Sequence, residues 1–351
     1  MKLGIVGLGL SGKTTVLNAL TGACKAVGTY GKSDTNVAVV KVPDERMEWL
    51  IKTYNPKKIV YADIEFVDIP GAIDDSSDAK VVAAARETDA LVFVVRAFDN
   101  PNVPHPNGSV APERDLEYIK MGLVVNDLSI AEKRLERLRK TAGKGSSAEE
   151  EKIELEILER VAAHLGQEKP LSSMGLTEQE DKVIRSFQFL TLKPSLTLLN
   201  VSDKDVNSEK TSAFLSNMEN SMALSADTEM QIQTLEEADR AAFLEDAGIR
   251  ELSLNSLIKK AYSTLGLISF FTAGEKEVHA WTIKKGTKAV AAAGKIHSDL
   301  ERGFIRAEIF SFDDLKKFGS EREVKTAGKF RLEGKEYVVQ DGDIVVIKFS
   351  V

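Results

Sequence analysis

Eight residues close to the start constrain this chain more than any other stretch. Gly7-Leu8-Gly9-Leu10-Ser11-Gly12-Lys13-Thr14 satisfies G-x-x-x-x-G-K-[ST], directly after a strand-like run, Leu3 to Val6, and opening a helical run, Thr14 to Leu20. Glycines let successive backbone N–H groups turn inward around a polyphosphate, and the helix N-terminus adds a partial positive charge. The motif predicts a phosphate turn built from Gly9, Leu10, Ser11, Gly12, Lys13, Thr14 and Thr15. Lys13 would reach the β and γ phosphates, and the Thr14 hydroxyl would ligate Mg²⁺.

A second element lies downstream. Glu65-Phe66-Val67-Asp68-Ile69-Pro70-Gly71 ends a buried-looking strand with D-x-x-G, placing a carboxylate at the strand's C-terminal edge beside the first loop. Asp68 is read as a Mg²⁺ ligand, through water, and the Gly71 N–H as a γ-phosphate sensor. Lys13, Asp68 and Gly71 are the candidate catalytic residues. A base site is expected at the end of a later strand, Ser195 to Asp203, where Asn200 and Asp203 stand in N-x-x-D spacing around Val201. A carboxylate there can accept the N1–H and N2–H₂ of guanine. Ser225 and Ala226 end the next strand and offer backbone amides to the base.

The surrounding pattern reads as α/β with a mainly parallel, two-sided sheet: Leu3 to Val6, Asn36 to Val40, Ile64 to Asp68 and Ala90 to Phe98 alternate with helical stretches. Three hundred and fifty-one residues are too many for one core, so two or three domains are expected. Leu128, Ala131, Leu135 and Leu138, then Ile153, Ile157, Val161 and Leu165, recur at helical spacing and predict a hairpin inserted into the α/β domain. From about Ile268 short strands predict a small α+β module: Val278 to Ile283, Ile305 to Ile309, Glu336 to Val339 and Ile344 to Phe349. The resulting division is 1–125 with 190–266, the hairpin 126–189, and 267–351.

Charge bears on partners. Forty-seven Lys and Arg against 54 Asp and Glu give a net charge of −7, so RNA binding requires a local basic patch. Lys133, Arg134, Arg137, Arg139, Lys140 and Lys144 form one such run on the first hairpin helix, faced by the glutamates of the second. His105, His164, His279 and His297 show no ligand spacing, and Cys24 is the single cysteine, which argues against a zinc site or an internal disulfide. No apolar run is long enough to span a membrane, and no secretory leader is read, so a cytoplasmic protein is expected.

These residues resemble the YchF or Obg-like ATPases, translation-factor-class P-loop proteins. The resemblance runs through Val39-Val-Lys-Val-Pro-Asp-Glu-Arg46, Glu65 to Ile69, Arg86-Glu-Thr88, Val94 to Phe98, Phe189 to Pro194 and Phe270 to Gly274. It continues through Glu277 to Ile283, Ala293 to Asp299 and Gly303 to Ala307. It implies a G domain, an inserted helical hairpin (coiled coil) and a C-terminal ubiquitin-like α+β TGS domain. It also implies Mg²⁺-dependent, ribosome-linked hydrolysis of ATP or GTP, with RNA contact through the basic hairpin helix and the TGS domain. Either ribosomal subunit fits that expectation.

The chain departs from the family at four places. Leu10 stands where the family's P-loop has an asparagine associated with a monovalent cation. The switch I threonine aligns near Lys32, with Thr35 the nearest substitute as a metal ligand. Switch II is shortened to Ala72 to Ala79, and Ala72 can orient no water. Asp203 replaces the glutamate of N-x-x-E, leaving ATP and GTP both open. Slow intrinsic turnover with a partner-supplied catalytic group is the expected consequence, and a nucleotide-binding regulatory module without hydrolysis is the alternative. A small-molecule kinase would need lid arginines and an acceptor site that the sequence does not display.

Overall fold

The computed structural model describes residues 1–22, 36–71, 79–141, 148–246 and 251–350. In chain order the strands are β1 (Lys2–Val6), β2 (Asn36–Lys41), β3 (Lys58–Val60), β4 (Asp63–Asp68), β5 (Ala90–Arg96), β6 (Ser195–Asn200), β7 (Ser221–Leu224), β8 (Leu267–Ala273), β9 (Glu277–Lys284), β10 (Phe304–Ser311), β11 (Arg331–Glu333) and β12 (Asp343–Phe349). The helices are α1 (Lys13–Thr21), α2 (Glu45–Tyr54), α3 (Ala79–Arg86), α4 (Pro112–Thr141), α5 (Ala148–Leu165), α6 (Glu178–Ile184), α7 (Glu209–Ser216), α8 (Ala226–Thr234), α9 (Glu237–Asp246), α10 (Ser253–Thr264), α11 (Ala289–Ile296), α12 (Ser298–Arg302), α13 (Phe312–Phe318) and α14 (Glu321–Thr326). The chain forms two compact units, Met1–Ala38 with Glu65–Leu254 and Val39–Ile64 with Asn255–Val351.

The first unit is built on a sheet of order β2-β4-β1-β5-β6-β7. β1 pairs in parallel with β4 and β5, β5 with β6, and β6 with β7. Its central strands are apolar on both faces, β5 being buried along its whole length, as a sheet covered on two sides requires. The strand order reverses at β1, so the crevice beyond its C-terminal end is the natural ligand position of an open α/β sheet. The phosphate motif lies there.

α4 begins at Pro112, well before the expected Asn126. Its first turns bury Leu116, Ile119 and Leu123 in the core beneath the sheet, and only from Val124 do Ala131, Leu135 and Leu138 turn into the hairpin core. One continuous helix therefore serves two cores. Ile157, Leu158, Val161 and Leu165 of α5 complete the hairpin core.

The second unit has the sheet order β11-β10-β12-β8-β9-β3. Its edge strand β3 comes from the first hundred residues, with Lys58, Ile59 and Val60 in parallel register with Glu277, Val278 and His279 of β9. α2 is held in the same unit: Arg46 grips Asp44 and Asp341 at 2.7 and 2.8 Å and lies over the Phe271 ring, while the Tyr54 hydroxyl donates to Glu321 at 2.6 Å. These units cut across the sequence-based segments, because α2 and β3 belong with the end of the chain, β3 pairing with a strand more than two hundred positions later. The strand expected at Glu336 to Val339 is instead a turn with one bridge, Lys288 to Val338, and the strand is β11. The buried Asp343 carboxylate gathers that turn, accepting the Tyr337 hydroxyl and the Gln340 N–H, each at 2.8 Å.

Candidate functional site

The loop after β1 has two left-handed residues two apart, Leu10 at φ 61° and Gly12 at φ 97°. Such alternation turns successive N–H groups toward one concave side. Gly12 precedes α1, whose N-terminus has no side-chain cap and no acidic residue in its first turn, so its first amides remain open for an anion. Both flanking glycines are obligatory on contact grounds. A Cβ at Gly7 would lie 2.4 Å from the Val94 carbonyl oxygen, and one at Gly12 would lie 2.2 Å from Asn200 Nδ2.

Lys13 folds back over this loop and is 8% exposed. Its ammonium donates to the carbonyls of Gly7 at 2.8 Å and Leu8 at 2.9 Å. Burial lowers its pKa to about 8, with the Asp68 carboxylate pulling the other way. Thr14 Oγ1 donates to Asp68 Oδ2 at 2.8 Å, so two segments 54 residues apart meet at the open end of the loop. Thr15 follows, half-buried, as does Gly9. Gly71 ends the D-x-x-G run with φ 96°. Hydroxyl and carboxylate oxygens are the hard donors that Mg²⁺ takes in ones and twos beside phosphate and water oxygens, so the Thr14 and Asp68 pair fits that ion. Thr35, Lys32 and Ala72 lie outside the described residues.

The candidate base residues divide. Asn200 is 4% exposed and joins two loops: its Nδ2 donates to the Ser11 carbonyl at 3.0 Å, and its Oδ1 accepts the Ala226 N–H at 3.1 Å. The Ala226 amide, expected to face the base, is thus engaged by Asn200. Ser225 caps α8, its hydroxyl 2.9 Å from Thr228 Oγ1. The Val201 side chain is packed in the sheet core and its N–H bonds the Leu224 carbonyl. Asp203 is exposed at the head of a short 3-10 turn, Asp203–Asp205.

One cluster had no signal in residue spacing. Arg96, His105 and Asp115 pack together with Leu8, Gly9 and Ser11 on the flank of the phosphate loop. His105 Nε2 is 3.0 Å from Asp115 Oδ2, and Arg96 donates to the carbonyls of Phe98 and Val103, at 3.1 and 2.8 Å. Pro101 to Pro112 reads as plain loop by composition, and side-chain bonds such as these, with Asn107 donating to Asp115, fold it back here. Among the described residues, no group of three or more His, Cys, Asp or Glu is arranged to hold a metal ion.

On the hairpin, Arg134 makes a two-pronged bond to Glu154 at 2.8 and 2.7 Å, Arg139 reaches Glu159 at 2.8 Å and Lys140 reaches Glu136 at 2.6 Å. Arg134, Arg139 and Lys140 of the expected basic run are therefore ion-paired, and Lys144 lies outside the described residues. Among the described residues, no helix is long and apolar enough to cross a membrane.

Comparison with known proteins agrees with this geometry. A family model described as "50S ribosome-binding GTPase" matches residues 2–127, and the YchF GTPase C-terminal family, described as "Protein of unknown function (DUF933)", matches residues 267–350. The chain is 42% identical over 364 residues to the Ribosome-binding ATPase YchF of Bacillus subtilis (strain 168), covering 99% of each. It is 38% identical over 367 residues to Obg-like ATPase 1 of Oryza sativa subsp. japonica, covering 100% of this chain and 92% of that one. The structure of the Schizosaccharomyces pombe YchF GTPase superposes with a TM-score of 0.86 at 34% identity, over 99% of this chain and 97% of that one. With its phosphate turn, its D-x-x-G strand and this full-length similarity, the chain belongs to the YchF/Obg-like ATPase family of P-loop nucleotide hydrolases.

Proposed function

We propose that this chain is a ribosome-associated switch that binds and slowly hydrolyses a purine nucleoside triphosphate with Mg²⁺, using the loop Gly9 to Thr15 as its phosphate cradle. The observation that carries this reading is the convergence of the Leu10 and Gly12 turn, the Lys13 ammonium and the Thr14 to Asp68 pair at the C-terminal end of β1. Thr14 and Asp68 would hold Mg²⁺, which when bound neutralises charge developing on the phosphates. Lys13 would exchange its loop carbonyls for phosphate oxygens, and the Gly71 N–H would sense the γ-phosphate. Asn200 fixes the cradle against the base loop, and Asp203 is the residue at which GTP and ATP are told apart.

Ribosome association is supported by the names of the relatives. The hairpin 126–189 and the C-terminal segment 267–351 are the partner-facing parts in this reading. Because Arg134, Arg139 and Lys140 are already ion-paired, RNA contact by the basic run Lys133 to Lys144 involves exchange of those glutamate partners for phosphates. Phosphate release in single-turnover assays with and without ribosomes, together with co-sedimentation, tests the proposal. Release accelerated by ribosomes is the expected result; no release under either condition would leave a binding module only.

A further inference from the structure

A buried polar joint links α3 to the hairpin, and nothing in the phosphate site uses it. Its centre is the short turn Leu190–Leu192 and the following Lys193. On one side, Asp127 of α4, fully buried, accepts the Leu190 N–H at 2.9 Å, the Thr191 N–H at 2.8 Å and the Thr191 hydroxyl at 2.8 Å. On the other side, the Lys193 ammonium donates to the carbonyls of Ala85 at 2.9 Å, Arg86 at 2.6 Å and Thr88. Ala85 and Arg86 carry the last carbonyls of α3, and Thr88 follows it; a helix leaves such carbonyls without internal partners, and a cation there complements the dipole.

Two features make this more than a cap. Asp127 sits where α4 passes from the sheet core to the hairpin core, between Leu123 and Ala131, so whatever moves Asp127 moves the hairpin's root. Arg86, the last residue of α3, has a buried Nε without a hydrogen-bond partner among the described residues, and its carbonyl is one of those held by the Lys193 ammonium. A buried guanidinium nitrogen without a partner is costly, and the cost falls if it pairs with the carboxylate of the same joint. The joint thus has a second arrangement within reach, with Asp127 turned from the Leu190 and Thr191 amides to Arg86.

We propose that Lys193 and Asp127 are positioning residues that couple α3 to the hairpin, and that Arg86 becomes the alternative partner of Asp127 when α3 shifts. α3 is the first described helix after Asp68 to Gly71, so this inference rests on the nucleotide reading of that segment. γ-Phosphate contact at Gly71 displaces α3, Lys193 carries the displacement to the 190–193 turn, and Asp127 delivers it to α4. The joint is a two-position element biased by the nucleotide at one end and by a hairpin-bound partner at the other.

Hydrogen exchange on the full chain tests it, comparing Mg²⁺-diphosphate with a Mg²⁺-imidotriphosphate analogue, in both adenine and guanine forms. In the native chain, exchange at 79–88 and at 124–141 with 148–165 should both change between the two states, by about two- to thirtyfold, the range of side-chain couplings of this kind. Lys193→Met should keep the response at 79–88 and lose it in the hairpin, and Lys193→Arg should restore it. Should Lys193→Met not fold, Asp127→Asn, which keeps the shape but cannot form the ion pair with Arg86, is read in the same way. A hairpin that ignores the nucleotide in the native chain, or responds unchanged in the variants, overturns the proposal. Calorimetry separates the two readings: no heat with either nucleotide removes the nucleotide site itself, whereas heat with a silent hairpin removes only the coupling.

Discussion

The Asn200 side chain donates to the carbonyl of Ser11, a residue 189 positions earlier, and accepts from Ala226 with its other atom. One amide therefore holds the phosphate loop and the base loop at a common distance. Its Nδ2 also occupies the space a Cβ at Gly12 would need, so the conformation of the phosphate loop and the position of the Ala226 segment are set together.

Asn200→Ala should leave the Ser11 carbonyl and the Ala226 N–H without these partners, costing about 1–3 kcal/mol of stability for each group left unsatisfied. Urea unfolding measures that loss, and calorimetry should show ATP and GTP affinity falling together. A variant as stable as the native chain would mean that the two loops are held by something else.

Asp203→Ala separates the bases. It should weaken GTP by about 1.5–3 kcal/mol, the range for a hydrogen bond to a charged acceptor, and leave ATP nearly unchanged. Equal losses for the two nucleotides would remove Asp203 from the base site.

Lys13 titrates near 8 in the protein, below its ordinary 10.5, because it is buried. Phosphate oxygens would raise it again, so binding near pH 8 should take up a proton, and affinity should fall as pH rises through that value. In the free protein the sign is opposite for folding: from about 8 up to 10.5 the unfolded chain keeps the proton that the folded chain has lost, so this group adds stability as pH rises. Calorimetry in two buffers of different ionisation enthalpy checks the uptake, and heats that do not depend on the buffer would contradict it.

Asp68→Asn keeps the shape at Thr14 but removes the charge. Mg²⁺-dependent nucleotide affinity should drop by about 1.5–3 kcal/mol, roughly 10- to 150-fold, with little change when Mg²⁺ is withheld. An equal drop in EDTA would place Asp68 outside the metal site.

The second unit predicts its own fragment behaviour. A chain starting at Asn255 lacks α2 and β3, hence the Arg46 to Asp341 bridge, the Tyr54 to Glu321 bond and the strand beside β9. It should unfold without a cooperative transition until a peptide of residues 39–64 is added. Cooperative melting of the fragment alone, followed by circular dichroism, would show that those contacts are dispensable.

Much of the site was legible because it is local. The turn Gly7 to Thr14 and the D-x-x-G run at Asp68 carry their conformational demands in consecutive residues, glycine where the backbone must turn and a hydroxyl or carboxylate where the strand ends. The helical spacing of Leu128 to Leu138 and Ile157 to Leu165 likewise announces its own buried stripe, although Ile153, of the same spacing, is exposed, and the spacing could not show that α4 starts at Pro112. The first turns of that helix obey the same period while serving a different core.

The amino-acid sequence by itself determined a phosphate turn between the first strand and helix, a carboxylate to oppose it, and an α/β frame with a helical insertion. Only the tertiary structure decided that Asn200 spends its amide on two loops, that the Val201 side chain packs in the sheet core while the Ala226 N–H is taken up by Asn200, and that residues 58–60 complete a sheet formed by the end of the chain. The reason is physical. Periodicity and motif report what a residue's neighbours along the chain require, whereas the partner of a buried amide or an edge strand is chosen by closure of long loops, over 189 residues for Asn200 and 219 for Lys58 with Glu277.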